Sequence, residues 1–531
     1  MRTPRPEQKS PSSPAAHRGP ISPRFLDAAV VLLTLACFWP LVHFYFAQDD
    51  FVFLERASHG FGEAMGGFFG AHPGQFRPLT KGLYFVLTWP LFGLHALPFH
   101  VVSILLHAGN AILVGVLLRR MGISSAVSRL VAALFALNVG YLEAVAWVSC
   151  VQQLIGTGFM LLALIFGIDA LEGRRTRSRA MSSIALLLAL ASYEQTLATP
   201  VVLAGWYAMR HGVRASIDAM RRRLWEQPAI LLLYLLFTLG VRGVPDSGPY
   251  VMSVGPHVLD NLRTYAGLVY ALWLMYPAYG LPAGFTPSHA LLIGVAGYLL
   301  VRRRVAEVAF GLGTFLVLIA PVLFVRDHTH SFHVYVAAIG IWFLAAVALD
   351  DALARVRVNR TLVVRGVLVA AALACFAGSL MAVRKNSVAT VGDALDLPRS
   401  FVLRRAVLAE RIRDDLLPRS RLHGKSGRLF MLYLYPQYRA NWLNIHSALG
   451  QGSAVRLMLE SPHLDVLFVP PLDIAVPDDP SVEVFVYTEL GRCYTAHEVE
   501  EAQRRRAESG ATEHAPGAPP DSTLQSIPST E

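Results

Sequence analysis

Charge is what this sequence has least of. Asp, Glu, Lys and Arg make up 16% of its 531 residues, where soluble domains carry about a quarter. The deficit is local, which excludes an ordinary water-soluble globule. Residues 25–46, 97–118, 147–169, 227–242, 305–325 and 361–383 are apolar runs, mostly long enough to cross a ~30 Å hydrocarbon core as helices. A helix satisfies its own backbone polar groups in lipid, so these runs read as spanning helices. Cysteine is scarce as well. Four residues give no disulfide framework. Cys37, Cys150 and Cys375 lie in apolar segments and Cys493 is alone in the tail, so all four read as packing residues or bystanders. No internal repeat is visible, which excludes a solenoid.

The charge that is present is placed with order. The net charge of +10 would suit nucleic acid, but no aromatic residues interleave with the basic ones to stack bases. Instead the arginines cluster between apolar runs: Arg119 and Arg120; Arg174, Arg175, Arg177 and Arg179; Arg221 to Arg223; Arg302 to Arg304; Arg355, Arg357 and Arg360. Short basic loops mark the cytoplasmic side of a membrane protein. The partner implied is membrane lipid, with no nucleic acid.

Putting those loops inside gives a topology. Residues 1–24, rich in Pro, Ser and basic residues, read as a disordered cytoplasmic N-terminus. The run that follows lacks a small-x-small cleavage site and reads as a retained first helix. It delivers a first outer loop, 47–96. Further spans near 125–139, 180–193, 195–210, 284–301 and 332–350 complete about 11 transmembrane helices within residues 25–384. Residues 263–283 and Tyr84–Leu94 are assigned to helices along the outer interface, where Trp89, Tyr270, Trp273 and Tyr276 would sit well. From about 385 the pattern changes to an amphipathic helix (398–416) and short strand-like runs at 428–435, 466–470 and 482–487. The fold expected is therefore an all-α polytopic membrane protein with a small extracytoplasmic α/β module at 385–499. A disordered tail follows at 500–531. The Ala- and Arg-rich composition points to a bacterial inner membrane.

Ionisable residues at membrane depth or at helix ends are costly and become functional candidates. Asp49-Asp50 follows the first span directly. Two adjacent, partly desolvated carboxylates raise one another toward general-base range; the same pair could equally be a polar stop that ends the helix. Arg77 and Lys81, in HPGQFRPLTK, are cations on the outer side, where topology does not ask for them. They suit a phosphate, Arg as a fork and Lys as a point charge. Glu143 and Glu194 fall in short outer turns and could equally hydrogen-bond between helices. Arg326-Asp327-His328-Thr329-His330-Ser331-Phe332-His333 lies just beyond a span. Arg326 suits phosphate; Asp327, His328, His330 and His333 are the ligand types for a divalent metal, the one cofactor the sequence suggests.

The order of these features resembles the GT-C superfamily of membrane glycosyltransferases. The resemblance rests on the acidic pair after helix one, Arg-Pro-Leu-Thr before helix two, FHVVSILLHAGNAILVGVLLRR (99–120), YLEAVAWVS (141–149) and SYEQTLATP (192–200). It covers roughly residues 25–350 and is similar to protein O-mannosyltransferase-like members, including the membrane halves of tetratricopeptide-bearing transmembrane mannosyltransferases. It implies a hexosyltransferase that moves a sugar from a polyprenyl-phosphate carrier to a glycan, lipid or protein acceptor, with inversion. Asp49 or Asp50 would act as base, and Arg77 and Arg326 would steady the leaving phosphate. Tyr335 remains of the family's late-helix motif, but Phe332-His333 replaces its Arg-Tyr. Asn138-Val139, Val151, Gln153 and Tyr193 likewise stand where relatives often carry His-Pro, Arg, Asp and Lys. The alternative class is a non-catalytic membrane protein that binds or translocates a lipid-linked glycan, or scaffolds envelope assembly.

Overall fold

Backbone that must hydrogen-bond to itself becomes helix, and most of the described chain is helical. The computed structural model describes residues 23–69, 75–242, 251–271, 284–326, 329–356, 361–388, 397–433, 445–469, 479–487 and 492–508. The first part of the chain builds α1 (Pro23–Phe38), α2 (Asp49–Ser58), α3 (Phe61–Phe69), α4 (Tyr84–Phe92), α5 (Ala96–Arg120), α6 (Ser125–Ala136), α7 (Leu142–Ala146) and α8 (Val151–Leu171). There follow α9 (Ser178–Leu190), α10 (Thr199–His211), α11 (Val213–Arg223), α12 (Glu226–Leu235), α13 (His257–Ala266), α14 (Pro287–Val301), α15 (Val305–Leu323), α16 (Val334–Ala354), α17 (Thr361–Ser387) and α18 (Phe401–Leu416).

The protein is an integral membrane protein. Among the described residues, five helical stretches are long and apolar enough to cross a membrane: Phe25–His43, Ala96–Arg120, Val148–Leu171, Val305–Leu323 and Ser331–Ala354. Ser125–Ala136 and Val139–Ala146 would form a sixth, bent by 49° at the break between them. A helix covers part of each of the eleven expected spans, but several are short. The bend has a local cause. Asn138 turns its side chain onto the backbone, accepting from Gly140 N at 3.0 Å and donating to Val269 O at 2.9 Å, which competes with the helix ladder.

Helix α16 sits at the centre: 89% of its most apolar window is buried within the protein, against 33% for α1 and α15 at the periphery. It meets α15 through Gly311 and Gly340, where the backbones touch; a Cβ on Gly340 would fall on Gly311 O and the Thr314 side chain. Small residues allow that approach between the helices of a membrane bundle. Gly340→Val is therefore expected to lower the thermal midpoint in detergent, at a cost of about 1–3 kcal/mol or more. Gly313→Ala, two residues from Gly311 and facing open space, is expected to leave it unchanged.

Of the two surface helices expected, α4 forms and exposes Leu87 and Leu91. The other expectation is corrected for Tyr270, which is buried: its hydroxyl donates to Ile341 O at 2.8 Å and its ring packs edge-on to Trp342. The phenol has a partner inside the bundle and no need of the interface. Trp273 and Tyr276 lie outside the described residues, as do His72, Asp327, His328 and most of the N-terminal and C-terminal tails.

The chain divides into two compact units, residues 1–407 and 408–531, with the boundary inside α18. The second unit holds α19 (Ile445–Ala448), α20 (Ser453–Met458), α21 (Ala496–Glu508) and a sheet of β1 (Gly427–Tyr433), β2 (Leu464–Val469), β3 (Val482–Tyr487) and β4 (Cys493–Thr495). The strand order is β2-β1-β3-β4, with β1 parallel to β2 and β3, and β4 antiparallel to β3. Strand β4 has no counterpart in the sequence reading, because three residues give too short an alternation to detect. It is fixed by Asp415, whose carboxylate accepts from Arg492 Nη2 at 2.6 Å and Cys493 N at 3.0 Å.

Candidate functional site

The loops at one end of the bundle converge; the arginine-rich loops lie at the other end of the same helices. Arg120 pairs there with buried Asp169, and Arg302 with Asp351 at 3.3 Å. At the converging end the chain leaves α1 and makes a tight turn over Ala47–Asp50. Asp50 N donates to Ala47 O at 3.2 Å, and Ala47 N donates to Asp50 Oδ2 at 2.9 Å. A second donor to the carboxylate, Ser149 N, reaches Asp50 Oδ1 at 2.7 Å from the short turn just before α8.

The turn splits the acidic pair. Asp50 is 2% exposed, while Asp49 is exposed. Burial pushes the Asp50 carboxyl up to about 7; its hydrogen bonds from Ser149 and Ala47 oppose this, and the Asp49 charge adds to it. A carboxyl raised on folding favours the protonated form in the native state. Its stabilising contribution is therefore fully present below about pH 4 and is lost as pH rises through about 7. Relative to Asp50→Asn, the wild-type protein in detergent is expected to lose on the order of 2 kcal/mol between pH 4.5 and 8. Parallel melting curves for the two proteins across that range would contradict it.

Lys81 stands on a short, wide helical turn, Pro78–Leu83. Leu79 N donates to Ala191 O at 3.1 Å and Thr80 Oγ1 to Ser192 O at 2.8 Å, which ties the turn to the loop after α9. The ammonium lies 3.9 Å from the centre of the Phe53 ring, a cation–π contact on α2. Burial pulls it down to about 8, the Asp49 charge opposing and the Arg77 charge assisting. Arg77 is occupied differently. It donates from Nε to Glu194 Oε2 at 2.7 Å, from Nη1 to Gln152 Oε1 at 2.6 Å, and from Nη2 to Glu194 Oε1. Its guanidinium also lies 4.9 Å from the centre of the Tyr193 ring. Burial alone would raise the Glu194 carboxyl, but Arg77 outweighs it and the carboxyl ends below its ordinary value. The pair is neutral as a unit, so the buried cation facing the acidic turn in this loop is Lys81.

The other candidates separate. Glu143 lies in α7 and accepts from Ser331 N at 3.0 Å and Ser331 Oγ at 2.5 Å, pinning the start of the central helix. Tyr335 is inside the bundle, its hydroxyl bonded to His107 Nδ1 at 2.8 Å and Asn110 Nδ2 at 3.1 Å. Arg326 is exposed beyond α15. His333 Nδ1 meets the Tyr193 hydroxyl at 3.1 Å, and His330 stacks on Phe332 with ring centres 5.0 Å apart. Among the described residues no group of three His, Cys, Asp or Glu converges to hold a metal ion.

Sequence reasoning missed Arg405. On α18, Arg405 Nη1 donates to Gln48 Oε1, and the guanidinium lies 5.6 Å from the Phe401 ring centre. Burial pulls it down to about 10, with the Asp49 charge opposing. Asp49 is thus an exposed carboxylate under the influence of two buried cations, Lys81 and Arg405. Like Arg77, Arg404-Arg405 is a pair of cations where the topology does not ask for one. Beside Arg405, Phe401 meets Trp147 edge-on at 6.1 Å, and Trp147 donates to Ala47 O at 3.3 Å.

Fold and site together define an integral membrane helical bundle that gathers one exposed carboxylate and buried cations at the end away from its basic loops. No protein-family model matches the sequence, and no curated protein matches it. Solved structures similar to it in fold include the Archaeoglobus fulgidus oligosaccharyltransferase tethered to an acceptor peptide containing the NVT sequon. That structure shows 11% identity and a TM-score of 0.48, covering 83% of this chain and 63% of that one. The chain therefore spans less than two thirds of that protein. ArnT from Cupriavidus metallidurans is similar in the apo state (13% identity, TM-score 0.48, 85% of this chain and 86% of that one). ArnT bound to undecaprenyl phosphate is similar as well (16% identity, TM-score 0.43, with the same coverage).

Proposed function

We propose that this protein is an inverting GT-C glycosyltransferase that moves a hexose from a polyprenyl-phosphate carrier to an acceptor hydroxyl on the extracytoplasmic face. The motif resemblance sets the class. The observation that carries the reading at the site is the divided acidic pair: the Asp50 carboxylate is held by two backbone donors, Ala47 N and Ser149 N, while Asp49 is left exposed beside the buried cation Lys81. In this reading Asp49 takes the proton of the acceptor hydroxyl. The acceptor oxygen bonds to the anomeric carbon from the face opposite the phosphate, the carbon–oxygen bond to phosphate breaks, and polyprenyl phosphate leaves with the electron pair. Lys81 stabilises the charge that gathers on that phosphate. The membrane is the bacterial inner membrane, with the basic loops cytoplasmic, the acidic turn outside and about 11 spans.

A second reading has one observation in its favour. Arg77, the cation that the motif would assign to phosphate, is bound on two nitrogens by Glu194. A protein that binds a lipid-linked glycan without turnover would tolerate that neutralisation. Incubating the full-length protein in nanodiscs with sugar-loaded undecaprenyl phosphates and a mixed acceptor pool separates the two. Mass-spectrometric detection of glycosylated acceptor together with free carrier is expected. Donor binding with neither product would establish the second reading.

A further inference from the structure

Gln48 has a backbone that glutamine seldom adopts. Its φ is +56° and its ψ is −119°, close to the first central position of a type II′ turn, which glycine dominates. The turn it opens is the one that splits the acidic pair: Asp50 N closes it on Ala47 O, and the Asp50 carboxylate caps Ala47 N. A residue without glycine's freedom stays in such a region only where its surroundings over-determine it. The Gln48 side chain shows what does so. It is 8% exposed, and Arg405, also 8% exposed, donates to its Oε1 from the first turns of α18. The guanidinium is itself seated over Phe401, whose ring meets Trp147, and Trp147 donates back to Ala47 O. Two contacts from outside the turn thus converge on adjacent residues, Ala47 and Gln48.

We infer that Arg405 is a positioning residue: through Gln48 it clamps the strained turn that points Asp49 outward and Asp50 inward. The inference rests on the transferase reading for its effect on rate, but not for its effect on the turn. A guanidinium is also the chemistry that binds phosphate, and the two roles make opposite demands on residue 48. If Arg405 acts through the strained backbone, a glycine at 48 relieves the strain and makes the clamp dispensable. If it binds phosphate, a glycine at 48 restores nothing.

The test is a double-mutant cycle on the full-length protein, using Arg405→Gln, Gln48→Gly and the pair together. Transfer kinetics are measured alongside amide hydrogen exchange over residues 44–58. For Arg405→Gln the clamp predicts a fall in kcat of about tenfold or more, little change in the KM for the lipid donor, and faster exchange in the turn. Gln48→Gly is expected to lose less, and the double variant to recover most of both losses. In Arg405→Lys, exchange in the turn and rate should change together; a changed rate with wild-type exchange would count against the clamp. A raised donor KM in Arg405→Gln with no recovery in the double variant would overturn the clamp and make Arg405 a phosphate ligand. If the wild-type protein transfers no sugar yet exchange follows the predicted cycle, the clamp stands and the transferase reading fails. Exchange unchanged in Arg405→Gln would overturn the clamp whatever the kinetics show.

Discussion

Asp49→Asn is expected to reduce kcat for sugar transfer by about 10³-fold, within the 10²–10⁴ range of a positioned general base and roughly 4 kcal/mol of barrier. The donor KM should stay within about twofold, because an exposed carboxylate beside a phosphate site adds nothing favourable to anion binding. Asp49→Glu keeps the carboxylate but moves it about one methylene, so a smaller loss is expected, on the order of tenfold to a hundredfold. Asp50→Asn should differ in kind. Asparagine can keep one acceptor for Ala47 N or Ser149 N, but it turns an NH₂ group toward the other donor, leaving a buried clash of donors. Its signature is therefore lost stability and a disturbed turn, with activity falling in proportion to the misplacement of Asp49. A variant series in which Asp50→Asn is dead and well folded while Asp49→Asn is active would assign the base to Asp50. Measuring kcat, KM and the melting midpoint together for all three proteins decides it.

The second large effect concerns Lys81 and pH. Burial holds its ammonium near 8, so the cation is present at neutral pH and is lost as pH rises through that value. A carrier phosphate has passed its second ionisation, near 6, well before then. Only the protein therefore changes charge between pH 7 and 9.5. Affinity for undecaprenyl phosphate is expected to weaken by about tenfold over that interval, because one charge-assisted contact of about 1.5–3 kcal/mol is withdrawn. Lys81→Arg should bind with a flat profile, since arginine stays charged. Lys81→Met should bind weakly and also without pH dependence. Calorimetric titration at four pH values for the three proteins checks this, and a wild-type affinity independent of pH would remove Lys81 from the phosphate site.

Much of the fold was legible because its signals are additive over many residues. A 25-residue apolar helix such as α5 and the arginines that end it announce themselves in composition alone. Tyr270 was misplaced because an aromatic residue near a span end looks the same whether it faces lipid headgroups or a carbonyl of the central helix. At the site, Asp49-Asp50 and Lys81 were visible as costly charges in an apolar setting, but their division of labour was not. The split between an exposed Asp49 and a buried Asp50 lies in one turn through Gln48, a residue type with no turn preference, which is contacted by Arg405, 357 positions along the chain. The Arg77–Glu194 pair was seen only as two separate candidates 117 residues apart, since opposite charges in different loops carry no sign of their contact.

The most direct test of the central claim is single-turnover transfer of radiolabelled sugar from undecaprenyl phosphate, with wild-type protein beside Asp49→Asn, each preloaded with donor to the same occupancy. Label on acceptor is expected from the wild type, and label retained on the carrier by the variant. Equal transfer by both would contradict the assignment of Asp49. Label that stays on the carrier in both, with donor bound, would contradict catalysis itself.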